Sequence, residues 1–108
     1  MSSHLFKYRL KPDCEEDIEA WRKYAQDHRE EILQTLAGEE IIVEDAFIER
    51  VGREVYLYYY VRTPDLQKAL KAFSNSTNAV DEYQKAFFEK VLDTRIELEK
   101  VLGLELPG

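Results

Sequence analysis

A chain of 108 residues is one domain's worth, and 44% apolar with 12% aromatic residues suffices for a packed core rather than a disordered tail. Its 22 acidic against 15 basic residues give a formal charge of −7, which argues against nucleic acid and anionic membrane surfaces, because phosphate binding is driven by cationic side chains. One cysteine, Cys14, excludes an intramolecular disulfide and a multi-thiolate metal site; no apolar run approaches the roughly 18 residues of a membrane helix, and the start lacks the features of a signal peptide, so the expectation is a single cytoplasmic domain over residues 1–108.

His4 to Leu10 alternates, with Phe6, Tyr8 and Leu10 set against Lys7 and Arg9, the pattern of a half-buried strand. Pro12 ends it, and Asp13 is placed to cap a helix whose first turn carries Glu15, Glu16 and Asp17. From Cys14 to about Leu36 the apolar residues Ile18, Trp21, Ala25, Ile32 and Leu36 fall three or four apart, with His28 on the same face. No proline interrupts the run and Gly38 follows it, so one continuous helix of roughly six turns is expected. Glu40–Arg50 and Val55–Arg62 read as strands joined by a hairpin, in which Gly52 is the residue suited to positive φ. Asp65 caps a short helix with Leu66, Ala69, Leu70 and Phe73 on one side; the polar run Ser74–Asn78 breaks it, and Val80, Tyr83, Phe87 and Val91 mark a further helix. Asp93–Lys100 reads either as more helix or as a turn. Val101–Leu106 alternates before Pro107 and reads as the last strand. The order β-α-β-β-α-β implies an α+β fold of the ferredoxin-like kind, an antiparallel sheet with its helices on one face.

A hairpin loop of even length gives the central strands two contrasting faces. One holds Ile42, Glu44, Ala46 and Ile48 with Val55, Leu57, Tyr59 and Val61, and suits the helices. The other gathers Phe47, Tyr56, Tyr58 and Tyr60, more contiguous aromatic surface than a free monomer carries, so a homodimer stacked through this face is expected.

With these residues in view, the chain resembles the dimeric α+β barrel superfamily of ferredoxin-like proteins, which includes cofactor-free monooxygenases and rhamnose mutarotases. It is more closely similar to an uncharacterised prokaryotic family of domains about a hundred residues long, a common domain size. The stretches that carry the resemblance are Tyr8-Arg9-Leu10-Lys11-Pro12, Trp21, Leu36 to Phe47, and Glu54 to Tyr60. It implies the fold and the dimer more than any chemistry. The mutarotases are similar in the proline-aspartate turn and in an aromatic pair where Phe87-Phe88 stands, but their catalytic histidine falls near Ala25. His28 lies a helical turn away, and Gln84 stands where the uncharacterised family tends to carry a histidine.

Glu44 is the unusual residue, a carboxylate among aliphatic neighbours on the face under the helices. There it needs a hydrogen-bond partner or a wet pocket, or desolvation raises its pKa. Tyr24 and Tyr59 are candidate donors, His28 a candidate partner, and Glu40 shares its parity nearer the strand end. The expected site is therefore a ligand-binding cleft between helices and sheet built from Glu44, His28, Tyr24, Tyr59 and Glu40. No spacing of histidines, cysteines and carboxylates marks a metal site, and no phosphate-loop or dinucleotide motif marks a cofactor, so neither is expected. Small-molecule binding is the leading function. A mutarotase-like isomerase, a cofactor-free monooxygenase and a purely structural homodimer are the alternatives.

Overall fold

The computed structural model describes residues 2–107. Strand β1 (Ser2–Leu10) leads into helices α1 (Glu15–Asp27) and α2 (Arg29–Gly38), then strands β2 (Val43–Val51) and β3 (Glu54–Thr63), helices α3 (Leu66–Asn75) and α4 (Ala79–Val91), and strand β4 (Leu92–Ile96). The strands form one four-stranded sheet in the order β2-β3-β1-β4, with every neighbouring pair antiparallel. The molecule is thus an α+β domain.

The hairpin is as tight as it can be. Val51 pairs with Glu54, leaving Gly52 and Arg53 as a two-residue loop, and Gly52 takes φ 61° at the first central position. A type II′ hairpin turn requires positive φ there, and only glycine adopts it without strain. The even loop fixes parity: Glu44 lies opposite Val61, Ala46 opposite Tyr59, and Ile48 opposite Leu57. Across the sheet, Tyr8 faces Leu57 and Phe6 faces Tyr59.

The core forms where α1 and α4 press on this face, around Leu10, Cys14, Ile18, Leu57, Tyr59, Phe87 and Val91. Burial and then the adjacent Glu15 push the Cys14 thiol pKa up, so it is an unreactive core residue. Coverage follows strand order. β2 is an edge strand, so although its even residues point to the helical side, Ala46 is exposed and Ile42, just before the strand, is 59% exposed. The expectation that the whole aliphatic set lies under helices holds for β3 and fails for much of β2.

Four local expectations are corrected. Asp13 does not cap α1; it takes φ 61° in the turn, and Cys14 precedes the helix without a side-chain cap. The long first helix is divided at His28, whose φ of −116° and ψ of 25° leave the helical well. The His28 Nδ1–H donates to the Tyr24 carbonyl at 2.9 Å, which also accepts the His28 backbone N–H at 3.0 Å, so one carbonyl serves two donors at the junction. The second strand starts at Val43 rather than Glu40, because residues 39–42 are used to end α2. The final strand is Leu92–Ile96, entered directly from α4, and not Val101–Leu106. Residues 92–96 take the place beside β1, reinforced by Arg9 Nε–Asp93 at 3.1 Å, so the later alternating run pairs with no strand.

The opposite face of the sheet carries no helix. Phe47 lies opposite Tyr58, beside Tyr56 and Tyr60, with Leu5 and Phe47 exposed. The face is mixed in character. The Tyr58 hydroxyl donates to Glu49 at 2.7 Å, and Lys7 Nζ lies 4.5 Å from the Tyr56 ring centroid. The C-terminal segment returns to this side, with Lys100 Nζ donating to the Ser3 carbonyl at 3.0 Å and Arg62 lying 3.9 Å from Glu105.

Leu57 is 0% exposed, so Leu57→Ala should destabilise the fold by about 2–5 kcal/mol, whereas Ile42→Ala should stay within about 0.5 kcal/mol. Denaturant unfolding of the two variants checks the assignment, and equal losses would reject it.

Candidate functional site

A cleft of about 320 Å³ opens between the sheet and the helices. Phe6, Tyr8, Glu44, Tyr59 and Val61 form its floor; Trp21, Tyr24 and Ala25 come from α1, Ile32, Thr35 and Leu36 from α2, and Leu66, Ala69, Leu70 and Phe73 from α3. The division of the first helix at His28 thus supplies two separate wall segments. Small residues at Ala25 and Ala69 leave the space that larger side chains would fill.

A hydrogen-bonded relay crosses the cleft wall. Trp21 stacks on Phe87, with ring centroids 4.7 Å apart and planes 6° from parallel. Its indole N–H donates to Gln84 Oε1 at 2.9 Å, and Gln84 Nε2 in turn donates to the Tyr59 hydroxyl at 2.5 Å. An indole nitrogen only donates, which fixes the amide orientation of Gln84 and makes Tyr59 the acceptor. The Tyr59 O–H hydrogen is therefore left to point elsewhere, and it has no acceptor among the described residues. Burial, and after it Glu44, hold the Tyr59 pKa well above the ordinary value, so the phenol stays protonated and remains a donor.

Three carboxylates meet at one end. Glu39 arrives there through the way α2 ends. The Ile41 N–H reaches the Leu36 carbonyl at 2.9 Å and the Glu40 N–H reaches Ala37 at 3.2 Å, the paired bonds of a Schellman terminus. Glu40 occupies the left-handed position with φ 58°, where glycine is usual. The turn sends the two neighbours apart: Glu40 pairs with Lys68 at 3.2 Å, while Glu39 is only 8% exposed and lines the cleft. Asp81 is buried in the first turn of α4, where Asn78 Nδ2 donates to its carboxylate at 3.0 Å and its own N–H donates to Asn78 Oδ1 at 2.9 Å. Glu44 stands at the cleft mouth, where it is exposed to solvent.

Burial first, then Asp81 and Glu44, push the Glu39 pKa up to about 7. Burial first, then Asp81, do the same for Glu44, also to about 7. Among the described residues neither carboxylate has a hydrogen-bond donor or a basic partner, and nearby bases are engaged elsewhere, Lys68 by Glu40 and Arg95 by Glu97 at 3.4 Å.

Of the residues singled out from sequence, Tyr24, Glu44 and Tyr59 line the cleft. His28 and Glu40 lie outside its lining. His28 stacks on Tyr24 with centroids 3.9 Å apart, and Tyr24 stacks on Tyr83 at 3.6 Å, so the histidine extends an aromatic column behind the wall. Glu39, Asp81 and Gln84 complete the site, and each looks ordinary in sequence. Asp81 reads as a dipole partner in a first helical turn, and Glu39 as one of two exposed acids after a glycine. The legible signal was the Asn78-x-x-Asp81 spacing of a reciprocal cap, which places Asp81 but not its burial. Among the described residues no group of three or more histidine, cysteine or acidic side chains is arranged to hold a metal ion.

Over residues 1–106 the chain matches the model of a family described as "Family of unknown function (DUF6176)", and it belongs to that family. No curated protein and no solved structure matches it.

The raised carboxyl pKa values carry a stability consequence. Glutamate ordinarily titrates near 4.3, and in the fold Glu39 and Glu44 do so at about 7. Their contribution is fully present below the ordinary value and is lost as pH rises through about 7. The melting temperature should therefore fall between about pH 5 and about pH 8. Glu44→Gln should raise it at the upper end and flatten the profile. A melting temperature that climbs over this window, with Glu44→Gln unchanged from the parent, would contradict the placement.

Proposed function

We propose that this domain binds a small molecule in the cleft between the helices and the sheet, and that it does so as a homodimer on a ferredoxin-like scaffold. The observation that carries the reading is the cleft itself: about 320 Å³ of mostly aromatic and aliphatic lining, with Glu39, Glu44, Asp81 and the Tyr59 hydroxyl converging on it. Concave apolar walls with a few placed polar groups are the general form of a ligand site, and the volume falls within the usual range of roughly 300–1,000 Å³. Isomerase chemistry of the mutarotase kind is not carried over, because Ala25 occupies the place of that family's catalytic histidine and alanine moves no proton.

Two features support the scaffold and the dimer. For the scaffold, the support is the all-antiparallel order β2-β3-β1-β4 with helices against one face, read with each α of a β-α-β-β-α-β chain split in two. The uncovered face, with Phe47, Tyr56, Tyr58 and Tyr60, adjoins a C-terminal segment in which Val101, Leu102, Leu104 and Leu106 are exposed, Leu106 to 91%. The Cα radius of gyration of 14.5 Å exceeds the roughly 13 Å of a compact chain this long, as expected when apolar surface is held outside the core. A second copy would cover it.

Chemical-shift mapping with a fragment library should perturb Tyr24, Glu44, Tyr59 and Gln84 together. A library in which every binder maps to other surfaces would reject the cleft as the site. Light scattering at micromolar concentration should give about twice the chain mass, and Tyr58→Glu should shift it toward monomer by placing a charge in a desolvated contact. A monomer at that concentration would overturn the dimer and leave the cleft reading standing.

A further inference from the structure

The acidic end of the cleft has a chemical preference that goes beyond the presence of a ligand. Glu39 is more than nine-tenths buried, faces the cavity, and has neither a donor nor a basic partner among the described residues. Among the described residues no fully buried side-chain oxygen lacks a hydrogen-bond partner, so the Glu39 carboxylate keeps a narrow contact with solvent, and Asp81 and Glu44 add like charge to it. Nothing on the surrounding elements offsets them. Tyr59 on β3, Tyr24 on α1 and Tyr8 on β1 are neutral phenols, and α3 presents only Leu66, Ala69, Leu70 and Phe73. Arg95 on β4 also lines the cleft, but its guanidinium lies 5.3 Å from the Phe6 ring centroid and is held by Glu97.

Resting on the small-molecule reading above, we propose that the cleft is a site for an organic cation, a protonated amine with an apolar or aromatic body, whose ammonium is held by Glu39, Glu44 and Asp81. An ammonium supplies the donors these oxygens lack, and charge-assisted hydrogen bonds are the strong ones. The apolar body of the ligand lies against Trp21, Phe73 and Phe88. The space holds roughly ten waters' volume, which suits a single-ring amine.

Proton linkage follows. A bound cation favours the ionised form of Glu39 and Glu44, so binding below neutrality releases protons and affinity rises with pH. The experiment compares three probes of one shape by calorimetry: 2-phenylethylamine, 2-phenylethanol and 3-phenylpropionate. The amine should bind at least about tenfold more tightly than the alcohol, and the anion most weakly. Amine affinity should increase from about pH 6 to about pH 8, where the amine keeps its charge, with proton release read from buffers of different ionisation enthalpy. Glu44→Gln and Glu39→Gln, checked for folding by circular dichroism, should each weaken the amine about tenfold and leave the alcohol unchanged. Alcohol binding as tight as amine binding would overturn the cation preference while the cleft remained a ligand site. Failure of all three probes to bind would overturn it too, and the fragment mapping described above then decides the cleft independently. Amine affinity unchanged in both folded glutamine variants would do the same.

Discussion

Trp21 has one hydrogen to give and no lone pair with which to receive, and much of the site's chemistry follows from that asymmetry. Its indole N–H fixes which end of the Gln84 amide faces α1, and the amide then offers its N–H to Tyr59. The relay spans three elements, α1, α4 and β3, and locks their relative positions through groups that are costly to leave unpaired. The flat stacking of Trp21 on Phe87 adds apolar area to the same junction. One wall of the cleft is therefore tied across three elements, and its last member presents a phenol hydrogen with no acceptor among the described residues.

The opposite wall is built by backbone rather than by side chains. A Schellman terminus with a non-glycine residue in the left-handed position ends α2 and separates Glu39 from Glu40. The strain at Glu40 and the burial of Glu39 are two consequences of a single turn. Lys68 compensates Glu40 outside, and nothing among the described residues compensates Glu39 inside. A chain selected only for stability would put glycine at the first position and an apolar residue at the second.

Legibility in the sequence tracked the range of the interaction that decides each feature. The hairpin register was readable because Gly52 sets it locally, and with it the side on which Glu44 emerges. Asp65 was legible as a helix cap and Asn78 as part of the break between two helical runs, and both accept backbone N–H bonds as caps. The break at His28 was not readable, since histidine carries no general helix-breaking rule and the second bond to the Tyr24 carbonyl depends on its rotamer. The last strand was misplaced for a different reason. Both Leu92–Ile96 and Val101–Leu106 have extended character, and only the tertiary slot beside β1 chooses between them. Within the site, Glu44 was visible as a polar residue in an apolar register, whereas Glu39 and Asp81 sit in stretches where acids are expected on the surface. Their burial is set by α2 and α4 converging, which no local pattern records.

That convergence is the point at which fold and function meet. A domain of this size has a net stability that is a small remainder of large opposing terms. Placing like-charged carboxylates around one cleft draws on that remainder, and the cleft's small alanines at positions 25 and 69 forgo packing as well. Each arrangement has an obvious stabilising alternative, an apolar side chain for Glu39 or a larger one for Ala69, and neither needs a change of fold. Both features sit in the same cavity, beside the Tyr59 hydroxyl, which accepts from Gln84 and keeps its own hydrogen to give. Independent defects have no reason to share one cavity. A ligand that supplied a cation, an apolar body and a hydrogen-bond acceptor would meet all three at once, and its binding energy would return as stability of the bound state. On the proposed reading, the carboxylates and the phenol hydrogen that face the cleft are the half of an interaction that the chain leaves for its ligand to complete.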